Sequence, residues 1–215
     1  NIFIGGGFWG GNLGLGSVTI QQYTGVYVAR LNTNGQCIWA TFGIGASNVN
    51  GIAVDASDNI YAGGWIGSNQ TSTWGSFNVS TNGSNNTGYL TKFNSSGTPL
   101  WEISNSGANA LFNINSIKTD INGDVYVTGE SGGVASLGGS SLPNSFGVNP
   151  YVVKLNSSGT GLWSQKASQL SSGTSASGSS SITIAGNGDT YITGGAGQSM
   201  FGTYPLNTGT YQTFY

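Results

Sequence analysis

The chain contains no histidine, one cysteine, one methionine and four prolines among 215 residues, and only 6% of its residues are charged. The missing histidine excludes Ser-His-Asp and Cys-His nucleophilic catalysis, the common zinc sites and a histidine proton shuttle at neutral pH. A lone Cys37 cannot form an internal disulfide. Five basic residues against seven acidic ones argue against nucleic acid as a partner. No apolar run approaches the ~20 residues that a membrane-spanning helix needs, so no membrane insertion is expected. No metal site or cofactor is expected either. What is abundant is glycine, 38 residues, with serine, threonine and asparagine around it. An apolar fraction of 37% is enough for a core and argues against disorder.

The second feature is repetition. The phrase YVARLNTNGQCIW (Tyr27 to Trp39) returns as YLTKFNSSGTPLW (Tyr89 to Trp101) and YVVKLNSSGTGLW (Tyr151 to Trp163), each copy 62 residues after the last. A second phrase returns at 65 residues: NIYAGG (Asn59 to Gly64), DVYVTG (Asp124 to Gly129) and DTYITG (Asp189 to Gly194), with NIFIGG at the N-terminus. Short apolar runs precede it at Gly51–Asp55, Ser116–Asp120 and Ser181–Ala185. A third marker, an aromatic or leucine followed by glycine, falls at Leu13-Gly14, Trp74-Gly75, Leu137-Gly138 and Phe201-Gly202. It makes Tyr215 the start of a fourth tyrosine strand. A fixed period of this length means one supersecondary unit copied in tandem.

Each copy offers four β-type runs rich in Val, Ile, Tyr, Phe, Trp and Thr, bounded by turn residues. Asn34-Gly35 and its counterparts Ser96-Gly97 and Ser158-Gly159 predict a two-residue primed hairpin. The expected fold is all-β: a β-propeller of four-stranded antiparallel blades, with the repeated Trp39, Trp101 and Trp163 wedged between adjacent sheets. A parallel β-helix ranks behind it. The blade segments fall at about 1–49, 50–113, 114–180 and 181–215 of a single domain. That is about three and a third repeats, so the chain is expected to belong to a larger or multi-chain propeller. Further blades or other protein chains would complete its open ends. The low-complexity stretch Ser168–Ser181 reads as an expanded loop.

These phrases together, of the form YVxKLNxxGxxxW…GIxVDxxGNxYVTG, resemble the SBBP-type β-propeller repeat over essentially the whole chain. Ala185 stands in place of the repeat's aspartate, and Asp58-Asn59 replaces Gly-Asn. The resemblance implies an extracellular or cell-surface protein, with a virion surface as an alternative. It names no activity.

Seven of the twelve charges recur at repeat positions: Arg30, Lys92 and Lys154 on one strand, Asp55 and Asp120 before one turn, Asp124 and Asp189 after it. A residue demanded by every copy reads as structural. The strand cation is expected to be partly buried and paired with a hairpin aspartate or a backbone carbonyl of the same or the next copy. The Asp120-x-Asn122-x-Asp124 spacing looks like the opening of a calcium loop, but the other copies and the missing glutamate favour an ordinary Asx-stabilised hairpin. Glu102 and Glu130 are not echoed and form the one imaginable acid/base pair for glycan cleavage. Trp9 and Trp65 have no tryptophan counterparts and are read at the start of the variable connections, where they and Glu130 are candidate ligand contacts, for glycans above all. The leading expectation is a non-catalytic extracellular scaffold for display, adhesion or protein assembly. A lectin-like carbohydrate-binding module comes second, and a glycan-cleaving propeller is a remote third.

Overall fold

The computed structural model describes residues 1–22, 24–45, 48–81, 83–107, 109–169, 178–207 and 212–214. Every regular element among them is a β-strand, and every pairing is antiparallel. The most complete sheet runs in chain order through Leu111–Thr119, Val125–Gly132, Val148–Leu155 and Gly161–Lys166. The preceding sheet has the same order in Asn48–Val54, Ile60–Ile66, Thr87–Phe93 and Pro99–Ser106. At the N-terminus Ile2–Trp9, Thr24–Leu31 and Cys37–Gly43 form a three-stranded sheet, and Gly178–Ile184, Thr190–Ala196 and Gln212–Phe214 form another near the C-terminus. The strand expected to start at Tyr215 thus already pairs at Gln212–Phe214; Tyr215 lies outside the described residues.

Four runs per copy is an incomplete count. The connection between the second and third strands carries its own small hairpin: Leu13–Leu15 with Val18–Ile20, Thr71–Trp74 with Phe77–Ser80, Ala135–Leu137 with Ser140–Leu142, and Ser199–Phe201 with Tyr204–Asn207. The third marker is the turn of this hairpin. In the first copy the turn glycine is Gly16, so Leu15, not Leu13, corresponds to Trp74. The Ala135–Leu137 hairpin pairs back onto Pro99–Ser106 and widens that sheet to six strands. The stretch read as one long loop from Ser168 has strand at both ends, Ser168–Gln169 and Gly178–Ile184; residues 170–177 lie outside the described set.

The Asn-Gly turns also differ from expectation. Asn32 N–H donates to the Gln36 carbonyl and Gly35 N–H to the Asn32 carbonyl, and within the turn only Gly35 has a positive φ, +77°. This is a three-residue loop, a type I turn followed by a left-handed glycine, not a two-residue primed turn. Gly97 (+82°) and Gly159 (+83°) repeat it. The other turn of each copy has the same shape, with Asp58 taking the left-handed place held by Gly123 and Gly188.

Strands Asn48–Val54, Leu111–Thr119 and Gly178–Ile184 lie successively against one another, and each also packs on the second strand of the sheet before it. Each carries a bulge at the same place, between Val49 and Gly51, Ile114 and Ser116, and Ser179 and Ser181. A bulge re-aims one side chain out of the ladder. Here it turns Asn50 toward the next strand, where Nδ2 donates to the Ile114 carbonyl (3.1 Å), and Asn115 likewise reaches the Ser179 carbonyl (3.0 Å). The bulge also explains a glycine and a tyrosine in the repeat. A Cβ on Gly64, Gly129 or Gly194 would overlap the carbonyl of Asn48, Asn113 or Gly178. Across the sheet, Tyr89 and Tyr151 lie opposite Gly64 and Gly129, and their hydroxyls donate to those Asn48 and Asn113 carbonyls at 2.9 and 3.0 Å.

Apolar clusters fill the spaces between consecutive sheets. Val26, Val28, Val49, Ile60, Trp74 and Phe93 join the first two; Leu90, Phe112, Ile117, Val127, Leu137 and Tyr151 join the next. The large rings at their centres are Trp74, Tyr61, Tyr89, Tyr151, Phe93 and Phe112, all fully buried. Of the repeated tryptophans, Trp39 and Trp101 pack against these clusters, but only partly buried. Their indole N–H, which requires an acceptor, lies on the Ser95 or Ser157 carbonyl at the turn end of the next sheet, and Trp163 is 40% exposed.

Gly129→Ala is expected to lower the unfolding free energy by about 1–3 kcal/mol by forcing a Cβ onto a backbone carbonyl. Tyr151→Phe is expected to cost about 1–2 kcal/mol by stripping that carbonyl of its buried donor. Urea unfolding reads both, and unchanged midpoints contradict the packing described.

Candidate functional site

The residues that the repeat preserves converge on one motif. An aromatic on the second strand, a cation on the third and a tryptophan on the fourth lie directly across from one another: Phe3–Arg30–Trp39, Tyr61–Lys92–Trp101 and Tyr126–Lys154–Trp163. Residues opposite one another share a face of the sheet. The cation therefore lies over the aromatic ring, 5.8, 5.1 and 4.8 Å from its centroid in the three copies, within cation–π range.

Two of these triads grip the following sheet. Arg30 Nη1 (3.2 Å) and Trp39 Nε1 (3.1 Å) both donate to the Ser95 carbonyl; Lys92 Nζ (2.9 Å) and Trp101 Nε1 (3.4 Å) both donate to the Ser157 carbonyl. Each carbonyl lies in an Asn-Ser-Ser-Gly turn. The turn is pre-shaped by its asparagine, whose Oδ1 accepts two backbone N–H groups: Ser96 and Thr98 at Asn94, Ser158 and Thr160 at Asn156. The glycine lets the turn lie flat on the indole, since a Cβ on Gly97 would come within 2.7 Å of the Trp39 ring.

The aspartates shape the other turn. Asp55 Oδ1 accepts the Ser57 and Asn59 N–H groups and Oδ2 accepts the Tyr61 hydroxyl; Asp120 does the same with Asn122, Asp124 and Tyr126. Burial disfavours the charge on Asp55, yet the hydrogen bonds from Asn59, Ser57 and Tyr61 outweigh it and hold the carboxyl below the usual range. At Asp120 the same opposition is settled by Asp124, Asn122 and Lys154. The calcium-like spacing thus belongs to an Asx-stabilised turn, and no group of three acidic or thiol side chains among the described residues is placed to hold a metal.

The third triad differs from the other two. Lys154 Nζ is 2.9 Å from Asp124 Oδ2 and 3.4 Å from Asp120 Oδ2 instead of on a turn carbonyl. Burial alone would pull its pKa down, but Tyr126 and Asp124 raise it. The Trp163 indole N–H has no partner among the described residues, although its ring keeps the edge-on contact with Tyr126, 6.0 Å between centroids.

The candidate ligand residues do not form one cluster. Trp9 is 72% exposed at the end of its strand, next to Gly10-Gly11. Trp65 lies inside strand Ile60–Ile66, half-buried opposite Asn48 and Gly88, not in a connection. Glu130 occupies the matching register of the next sheet, opposite Asn113, whose Nδ2 donates to it at 2.6 Å. No hydrogen bond or ring contact joins Trp9, Trp65 and Glu130 among the described residues. Glu102 lies in a different sheet from Glu130, where it accepts from Ser72 (3.0 Å) and Thr91 (3.4 Å), so the two carboxyls share no partner. Burial pushes Glu102 up to about 8 against the pull of those hydroxyls, and its Oε2 is buried without a donor among the described residues. Both observations describe a carboxyl held protonated at neutral pH. Cys37 is half-buried with its thiol pushed up by burial, which keeps it in the unreactive form.

Sequence reading missed the bulge asparagines and Lys166. Lys166 is 4% exposed, donates to the Gly133 carbonyl (3.0 Å), and burial pulls its ammonium down to about 8. Position 166 corresponds to Phe42 and Ser104 in the other copies, so no repeat signal marks it. No protein-family model and no curated protein matches this chain.

Because Glu102 titrates higher in the folded than in the unfolded chain, the folded state retains a proton between pH ~4.5 and 8 that the unfolded state has lost. Its contribution to stability is full below pH ~4.5, declines as pH rises and levels off above 8, by at most ~5 kcal/mol. Glu102→Gln is expected to flatten that decline in chemical unfolding measured from pH 4 to 9; a decline of unchanged size contradicts the assignment.

Proposed function

We propose that the chain is a non-catalytic scaffold of the β-propeller kind, whose sheets are blades stacked about a common axis and whose variable connections face outward for display, adhesion or protein assembly. The observation that carries this reading is the doubled grip on a single turn carbonyl, made with the same residue types at successive sheets. The bulged inner strands support it, because they touch in series and are bridged by Asn50 and Asn115. So do the recurring charges, which are engaged in shaping turns and joining sheets and leave few for chemistry. An extracellular or surface location follows from the likeness to the SBBP-type repeat. The partners in this reading are further blades or other protein chains.

A second reading, a carbohydrate-binding module, is favoured by one feature, the exposed Trp9 ring beside Gly10-Gly11. Sugar faces stack on such rings while neighbouring amides bond hydroxyls.

A display scaffold tolerates additions in its connections and not in its inter-sheet turns. A short epitope inserted between Gly10 and Gly11 is expected to leave the melting temperature within a few degrees and to be bound by its antibody on the native protein. The same insertion between Ser95 and Ser96 is expected to unfold the chain. Equal tolerance at both places contradicts the scaffold reading. A glycan array decides the second reading: binding that disappears in Trp9→Ala supports it, and binding absent or unaltered removes it.

A further inference from the structure

We infer that the connection 143–147 of the third sheet forms a binding site for an acetamido sugar, an N-acetylhexosamine unit of a neutral glycan; this rests on the scaffold reading above and gives its adhesive surface a ligand. The second sheet fills the same place with an amide of its own. Counted back from Tyr89 and Tyr151, position 84 corresponds to 146 and position 85 to 147. In the second sheet the Asn109 side chain lies in the crook of the connection. Its Oδ1 accepts the Ser84 backbone N–H (3.2 Å) and hydroxyl (3.4 Å), and the Asn109 carbonyl accepts from Asn85 Nδ2 (2.5 Å). Gly83 leaves the room for it, since a Cβ there would overlap Asn109 Oδ1.

In the third sheet the crook is open. A cavity of about 500 Å³ lies there, the size of a small-molecule site, lined by Asn144, Ser145, Phe146, Gly147, Ser168 and Gln169. The Gln169 amide packs further along, against Gly147 (φ +65°), where a Cβ would come within 2.6 Å of its Oε1. The Phe146 N–H, the counterpart of the Ser84 donor, has no acceptor among the described residues. Ser168 and Gln169 pair onward with Met200 and Ser199 of the next copy, so the chain flanks the site on both sides.

The connection is fixed from beneath. Asn149 is fully buried, and its Nδ2 donates to Ser145 Oγ (3.0 Å) and to the Phe146 carbonyl (2.7 Å). A site held in shape before its ligand arrives loses less entropy on binding. Because Ser145 Oγ accepts that bond, its own O–H is left to donate toward the cavity. Phe146 is 66% exposed where the second copy has a serine. A large ring held in water is relieved by an apolar partner, and the C–H face of a pyranose supplies one. An acetamido oxygen on the Phe146 N–H and the Ser145 O–H repeats the bonds that Asn109 Oδ1 receives from Ser84. Asn144 and Ser168 stand at the rim for sugar hydroxyls, and no charged side chain lines the cavity, which favours a neutral glycan over an acidic one.

Titration calorimetry of the 215-residue chain with chitotriose, a chain of N-acetylglucosamine units, is expected to show binding. Cellotriose has the same backbone with hydroxyls in place of the acetamido groups, and is expected to bind about tenfold more weakly or worse because the donors of the connection lose their acceptor. Phe146→Ala is expected to weaken chitotriose binding about tenfold or more, as loss of a central anchor does. In amide-resolved NMR the Phe146 resonance is expected to move with chitotriose and to stay in place with cellotriose. No binding of chitotriose, equal binding of the two sugars, or binding that survives Phe146→Ala overturns the proposal. Binding kept in Phe146→Ala but lost in Trp9→Ala overturns it in favour of the Trp9 reading. Sugar binding is read independently of insertion tolerance, so a failure here leaves the scaffold reading standing.

Discussion

A backbone carbonyl that receives two donors from the preceding sheet is the contact on which the arrangement of sheets depends. Ser95 and Ser157 are neither charged nor special as residues; what matters is that their C=O groups stand at the tip of a rigid turn. A hydrogen bond to a charged donor is worth more than one between neutral groups. Here the charged donor is also partly shielded by an aromatic ring and an indole. The apolar clusters between sheets give most of the stability, but burial is non-directional. The turn contact supplies what burial lacks, a fixed register between one sheet and the next.

That constraint explains why so many residues recur together. The asparagine shapes the turn, the glycine lets it lie against the ring, the tryptophan and cation supply the donors, and the second-strand aromatic orients the cation. A parallel set operates at the other end of the sheets. The bulge in the strand Asn48–Val54 or Leu111–Thr119 needs a glycine opposite it and a tyrosine hydroxyl to satisfy its carbonyl, and it turns an asparagine toward the next sheet. Removing one member of either set breaks a hydrogen bond or forces a Cβ onto a carbonyl or a ring, a physical reason for the same spelling in each copy.

The strands and their order within a sheet were legible because alternation and turn residues are local signals, and the phrase from Tyr89 to Trp101 contains both. The role of the strand cation was legible from its recurrence alone. Other features left weaker traces. The hairpins at Leu13–Ile20 and Thr71–Ser80 consist of strands of three or four residues, too short to show a period. The bulges at Asn50 and Asn115 add a single residue whose effect depends on a strand about one repeat away. Trp39, Trp101 and Trp163 were expected wedged between adjacent sheets because large rings favour burial; Trp39 and Trp101 pack against the inter-sheet clusters only partly buried, with the indole N–H on a turn carbonyl, and Trp163 is 40% exposed. Trp65 looked like a loop residue because the strand carrying it runs past the end of the repeated phrase. Glu102 and Lys166 occur once each, so only the three-dimensional packing shows that they are buried.

The central claim is that Lys92 and Trp101 act together on one carbonyl of the next sheet. A double-mutant cycle with Lys92→Met, Trp101→Ala and the combined variant, read by chemical unfolding, measures this directly. Donors sharing one acceptor should be coupled by about 0.5–2 kcal/mol. Additivity within the error of the measurement would mean that the shared contact does not hold the sheets together.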